Sequence, residues 1–226
     1  MKNNRIFALC YRLAAFLLCL AGVLHTLGVF DGRFQWKMML YYTIESNILI
    51  VLMFGFLSAK TARDLRKGGV AGASSYHERL TAIAMLSITV TLLLFWALLA
   101  PSMPGPGLLS YVNLQIHAFT PLLMIVDFFL FATPGKMKKQ DPWLFALVPL
   151  TYFIQSTVLG FSGFRYSVQG EAGSRFPYFF VDFDLLKGKV FLYVFFIAVF
   201  FVGLAYLLLW YDGKRGRKWR RAQAER

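Results

Sequence analysis

Charge is scarce in this chain, and what there is leans to one sign. Asp, Glu, Lys and Arg together make up 15% of 226 residues, while hydrophobic residues make up 58%. A soluble domain of this length cannot bury that much apolar surface, because its surface-to-volume ratio leaves too many side chains outside. Lipid as solvent removes the conflict. Cysteine is nearly absent: Cys10 and Cys19 are the only two, both in the first hydrophobic segment. Nine residues apart on a helix puts them half a rotation from facing, which does not fit an internal disulfide. There is no CxxC and no Cys/His cluster with metal-ligand spacing, so neither a metal nor an organic cofactor is expected. No stretch is left over for a separate soluble domain.

Six apolar runs are separated by polar or Gly/Pro breaks, at about 6–30, 38–58, 80–100, 109–133, 143–163 and 190–211. They predict a single integral membrane domain, an all-α bundle of six transmembrane helices. Lys2 and Arg5 resemble the start of a signal peptide. The run behind them is too long, lacks a small-residue cleavage pattern and contains Arg12, so it is expected to stay as a span. The uncharged turn at 101–107 predicts that the third and fourth helices form a tight antiparallel pair.

With the N-terminus inside, seventeen of the 24 Lys and Arg fall on inner segments and six on outer loops. The positive-inside rule then puts both termini in the cytoplasm. The basic tail, 212–226, would lie against anionic lipid head groups, which accounts for the net charge of +13 without nucleic acid.

Polar groups inside a span are costly, so they face the bundle interior and often mark function. At about 1.5 Å per residue, His25, Thr43, Asn47, Asn113, His117 and Gln155 all fall roughly 5–15 Å from the outer surface. Interhelical hydrogen bonding is one reading of that layer. Chemistry is the other, because His117 can take and return a proton near neutral pH and could activate a hydroxyl at its own depth. Thr43 is one such hydroxyl, and Ser46 and Ser156 are rivals.

Arg12 and Asp127 sit deeper, at equal depth and with opposite sign. They predict an ion pair that clamps the first and fourth helices, with a proton-relay role as the alternative. Glu45 is about 200° around the helix from Thr43, so the two do not share a face. The loop 165–189 is too aromatic for an ordinary solvated connection. It reads either as a cover over the bundle mouth or as part of an interfacial aromatic belt.

Three motifs carry a family resemblance. The second span reads Tyr41-Tyr-Thr-Ile-Glu-Ser-Asn47, and the fourth reads Asn113-Leu-Gln-Ile-His117 followed by Pro121 and Asp127. The last loop holds Phe176-Pro-Tyr-Phe-Phe-Val-Asp182. Together these resemble the androgen-induced gene family of six-span proteins, in its prokaryotic branch. The resemblance implies a membrane threonine hydrolase acting on fatty acid esters of hydroxy fatty acids or related lipid esters. Thr43 would be the nucleophile and His117 its base, in a cell membrane if the source is prokaryotic. Glu45 stands where a glutamine is expected. Asn47, Asn113, Gln155, Ser46 and His25 are the polar candidates for an oxyanion site or substrate contacts. The competing class is a lipid-binding or small-molecule transport protein with no turnover.

Overall fold

A computed structural model describes residues 4–103, 105–166 and 173–225. Lys2, Pro104 and Arg226, together with 167–172 of the long loop, lie outside the described residues.

Six helices are long and apolar enough to cross a membrane: Arg5–Thr26, Tyr42–Gly68, Glu78–Ser102, Tyr111–Phe131, Asp141–Phe161 and Phe183–Ala224. We label the α-helical pieces α1 (Arg5–Thr26), α2 (Tyr42–Gly68), α3 (Glu78–Leu94), α4 (Tyr111–Leu114), α5 (Thr120–Phe131), α6 (Asp141–Phe161), α7 (Phe183–Leu186) and α8 (Val190–Ala224). The helix α2 packs between α1 and α3, α3 packs on α5 and α6, and α6 packs on α8. Large apolar side chains such as Leu147, Ile154 and Val158 on α6, and Leu192, Phe196 and Phe200 on α8, are more than one-third exposed. A patch of that size is unstable against water and suits hydrocarbon. The arrangement is compatible with an integral, multi-pass membrane protein.

The described chain begins at the same end of the bundle to which α8 returns. Asn4 bridges to Ala71 in the α2–α3 connection. Ser75 of that connection accepts a hydrogen bond from the Thr133 amide, and Asp212 accepts from the Gly135 and Met137 amides. The other end carries the residues before α2, the α3–α4 turn and the long aromatic loop.

Several helix ends differ from the hydropathy reading. The second span starts later, at Tyr42, because Trp36–Leu40 forms its own 3₁₀ turn, and it runs on to Gly68 before Gly69 at φ 69° stops it. The basic tail is a continuation of α8 as far as Ala224. Lys, Arg and Ala are good helix formers, and hydropathy registers only the apolar part. The extension is docked on the bundle: a Cβ on Gly216 would stand 2.5 Å from the Gly135 Cα, so only glycine permits the approach. Arg215 donates to the Phe129 carbonyl beside it.

The ion pair Arg12–Asp127 is two-pronged, at 2.7 and 3.2 Å, with both residues 1% exposed. The remaining guanidinium edge donates to Thr61 Oγ1 at 2.7 Å, and Thr61 in turn donates to the Leu57 carbonyl. Three helices are thereby fastened at one depth.

Candidate active site

The fourth span is irregular for a reason written in its sequence. Residues Gln115–Phe119 form a π-helical turn between α4 and α5, closed by the Thr120 amide donating to the Gln115 carbonyl. The next residue is Pro121, which has no N–H. The carbonyls of Ile116 and His117 therefore lose their intrahelical donor. Two side chains take them over: Asn47 Nδ2 reaches the Ile116 carbonyl at 3.0 Å, and Trp96 Nε1 reaches the His117 carbonyl at 3.2 Å. Trp96 itself lies in a second π-helical turn, Phe95–Leu99. Such turns widen a helix locally and frequently mark functional sites. Here the two meet at His117, whose ring stacks on Phe95 and whose carbonyl bonds Trp96.

The His117 imidazole is buried and stacks on Phe95, with ring centroids 3.6 Å apart and planes 17° from parallel. Its Nδ1 lies 3.0 Å from the Asn113 carbonyl. A carbonyl only accepts, so Nδ1 carries the proton and the neutral ring keeps its lone pair on Nε2. That is the tautomer a general base requires.

Thr43 stands in the first turn of α2, where backbone N–H groups lack helical partners and the helix dipole is positive. Its amide donates to the Tyr178 hydroxyl at 3.3 Å, and its Oγ1 lies 3.3 Å from the same oxygen. Burial raises the pKa of the Tyr178 phenol above its ordinary value, which keeps that hydroxyl protonated near neutral pH. Tyr178 belongs to the aromatic loop, so the described part of that loop does cover the site. Tyr42 packs against Tyr152, with centroids 5.2 Å apart. Tyr152 stands nine residues short of the end of α6.

Thr43 also lines an internal cavity of about 120 Å³. The hydroxyl-bearing residues Thr43, Thr91, Tyr42, Tyr152 and Tyr178 gather in one part of it. The rest is apolar, walled by Phe145, Pro149, Ile197, Phe201 and similar side chains. Phe95 is in that wall too, so its ring stands between the cavity and His117.

No protein-family model, curated protein or solved structure matches the chain.

The polar residues singled out in the sequence fall into different services. Thr43, Ser46 and Asn47 form one cluster. Ser46 Oγ bonds the Thr43 carbonyl and Thr91 Oγ1, at 3.0 and 2.7 Å. Asn47 spends both N–H bonds of its amide, on the Thr43 and Ile116 carbonyls, so it has none to give an oxyanion in this arrangement. Its role is to lace α2 to the π turn beside His117. Asn113 donates to the Leu108 carbonyl and holds the α3–α4 turn. Gln155 donates to Glu45 Oε1 at 2.6 Å and joins α6 to α2. Ser156 bonds within its own helix, to the Phe153 carbonyl. His25 lies against Phe30, with centroids 5.9 Å apart, and does not join the cluster. Thr43 and His117 are not hydrogen-bonded to each other; Thr43 is bonded to Tyr178 instead.

Tyr178, Phe95, Trp96 and Thr91 escaped the sequence reading. For Trp96 a signal existed, since a proline four residues after His117 announces an orphan carbonyl needing a donor. A loop tyrosine over a helix start has no such spacing rule.

Tyr178→Phe is expected to lower stability by about 1–3 kcal/mol, for the stranded Thr43 amide, as read by thermal unfolding in detergent.

Proposed function

We propose that the protein is an intramembrane lipid ester hydrolase with Thr43 as nucleophile and His117 as general base. The observation that carries this reading is the placement of the Thr43 hydroxyl. It stands at a helix N-terminus, partnered by a protonated tyrosine, at the polar part of an otherwise apolar cavity.

In the proposed reaction Thr43 Oγ attacks the ester carbonyl while its proton passes to His117 Nε2. The carbonyl oxygen becomes an oxyanion and is met by the Tyr178 O–H and the positive end of α2. The ester C–O bond breaks, and the imidazolium returns the proton to the leaving alkoxide. Water then cleaves the acyl-threonine, with His117 again taking the proton. Phe95 must rotate aside for Nε2 to reach the cavity, and its place at the start of a π turn gives it a locally widened helix in which to do so. Fatty acid esters of hydroxy fatty acids are the substrate class that the resemblance suggests. An arrangement with both termini in the cytoplasm, from the distribution of Lys and Arg, puts the site nearer the outer leaflet.

One observation favours a second reading, a lipid-binding protein without turnover. Phe95 screens the imidazole from the cavity, and no hydrogen bond links Thr43 to His117. Hydrolysis of a long-chain ester by the parent protein decides between them, and His117→Ala tests the base. The imidazole side chain bonds only to its own turn and stacks on one ring, so the variant should fold. Hydrolysis of a long-chain ester should fall by about 10²–10⁴-fold. Turnover equal to the parent protein's removes His117 from the chemistry.

A further inference from the structure

A second, surface cleft of about 540 Å³ runs between α8 and the far half of the third span, lined by Leu93, Ala97 and Leu98 on one side and by Leu192, Phe196 and Phe200 on the other. Leu94, Ile197 and Phe201 line both spaces, so the cavity and the cleft lie side by side with these three side chains between them.

Two features keep this seam open. In this stretch α8 packs mainly on α6 and on the turn Phe179–Val181. The facing part of the third span changes from α to π geometry at Phe95, beside the seam. The cleft walls carry no charge, and Phe196 and Phe200 are well over half exposed. At the depth of a six-span bundle, the medium outside is lipid hydrocarbon.

We infer that the cleft is a lateral portal through which one acyl chain of a bilayer lipid passes between α3 and α8, with its ester carbonyl arriving at Thr43. This deepens the hydrolase reading and rests on it for the last step only. The inner cavity spans Phe145 to Phe153 along α6, about 12 Å at 1.5 Å per residue. Its lining is apolar apart from the hydroxyl-bearing residues around Thr43. The substrate class is therefore an ester with a long apolar acyl chain, drawn from the membrane and not from water.

The test uses the full chain in lipid nanodiscs with a long-chain ester bearing a terminal diazirine. After irradiation, cross-links are mapped by mass spectrometry. They should concentrate on Leu94, Ile197 and Phe201. Ala97→Trp, which fills the cleft from an exposed position, should lower both the cross-linking and the turnover by about tenfold, as expected when a bulky side chain overfills an apolar site. Val199→Trp, on the lipid face of α8 outside both spaces, should change neither. Ala97→Leu provides a milder plug with a graded effect if the tryptophan variant proves unstable.

Cross-links spread evenly over lipid-facing residues such as Leu144 and Leu147 would overturn the portal. So would turnover indifferent to both Ala97 variants, which leaves the hydrolase reading intact. Cross-links that stay in the cleft of Thr43→Ala support the portal, since threading needs no nucleophile. Threading in the parent protein without hydrolysis of any ester would retain the portal and sink the hydrolase reading.

Discussion

Thr43→Ala is expected to abolish turnover of lipid esters, with a loss on the order of 10³-fold or more, because no acyl-enzyme can form without the hydroxyl. Folding should survive. The side-chain oxygen has a single partner, Tyr178, and the Thr43 carbonyl that Ser46 and Asn47 bond is backbone and remains. Thr43→Ser is the informative companion. It keeps the hydroxyl at the same helix position and should retain a measurable fraction of activity. The nearest alternative nucleophile, Ser46, is committed to Thr91 and to the Thr43 carbonyl, and it does not line the cavity. Ser46→Ala is therefore expected to leave turnover within about tenfold of the parent value, as for a residue outside the reacting atoms. Initial rates on all three variants, normalised to monodisperse protein, check the set.

Asp127→Ala is expected to destabilise the fold by about 3–5 kcal/mol, the range seen when one member of a buried ion pair is deleted. The Arg12 guanidinium would be left 1% exposed among apolar helices, with Thr61 as its only remaining hydrogen-bond partner. Arg12→Ala should cost a similar amount for the mirror reason. Replacing both, as Arg12→Met with Asp127→Leu, should recover much of the loss, because neither charge then needs satisfying. Thermal unfolding of purified protein in one detergent measures all three variants against the parent. A proton-relay role would show differently, as lost turnover in an Asp127 variant of normal stability.

Much of the architecture was legible from residue order. Six apolar runs of about 20 residues match the thickness of a bilayer, and that count needs no tertiary information. Depth counting put Arg12 level with Asp127, because both helices cross the same slab at the same rise, and the carboxylate stands 2.7 Å from the guanidinium. The same counting was less able to place Thr43. It assumes that the second span begins at 38, whereas α2 begins at Tyr42, after the Trp36–Leu40 turn.

The site was legible in kind and not in detail. Asn47 reads as a hydrogen-bond donor for chemistry, yet both of its N–H bonds are held by backbone carbonyls, one of them released by Pro121. Its use follows from a proline on another helix, which single-span reasoning does not connect. Tyr178 and Phe95 reach Thr43 and His117 through loop closure and ring stacking. Neither leaves a periodic trace in the chain. Gln115 shows the same limit: it crosses to the Leu18 carbonyl only because Gly22 leaves room, a Cβ there standing 2.3 Å from the Gln115 side chain.

The central claim is that Thr43 is a nucleophile in a lipid-accessible cavity. Its most direct measurement is residue-level mapping of a covalent adduct, using an alkyl fluorophosphonate on the purified protein followed by peptide mass spectrometry. The account predicts one adduct per chain, on Thr43, lost in Thr43→Ala and slowed in His117→Ala. An adduct on Ser46 or Ser156, or labelling that persists unchanged in Thr43→Ala, would contradict it.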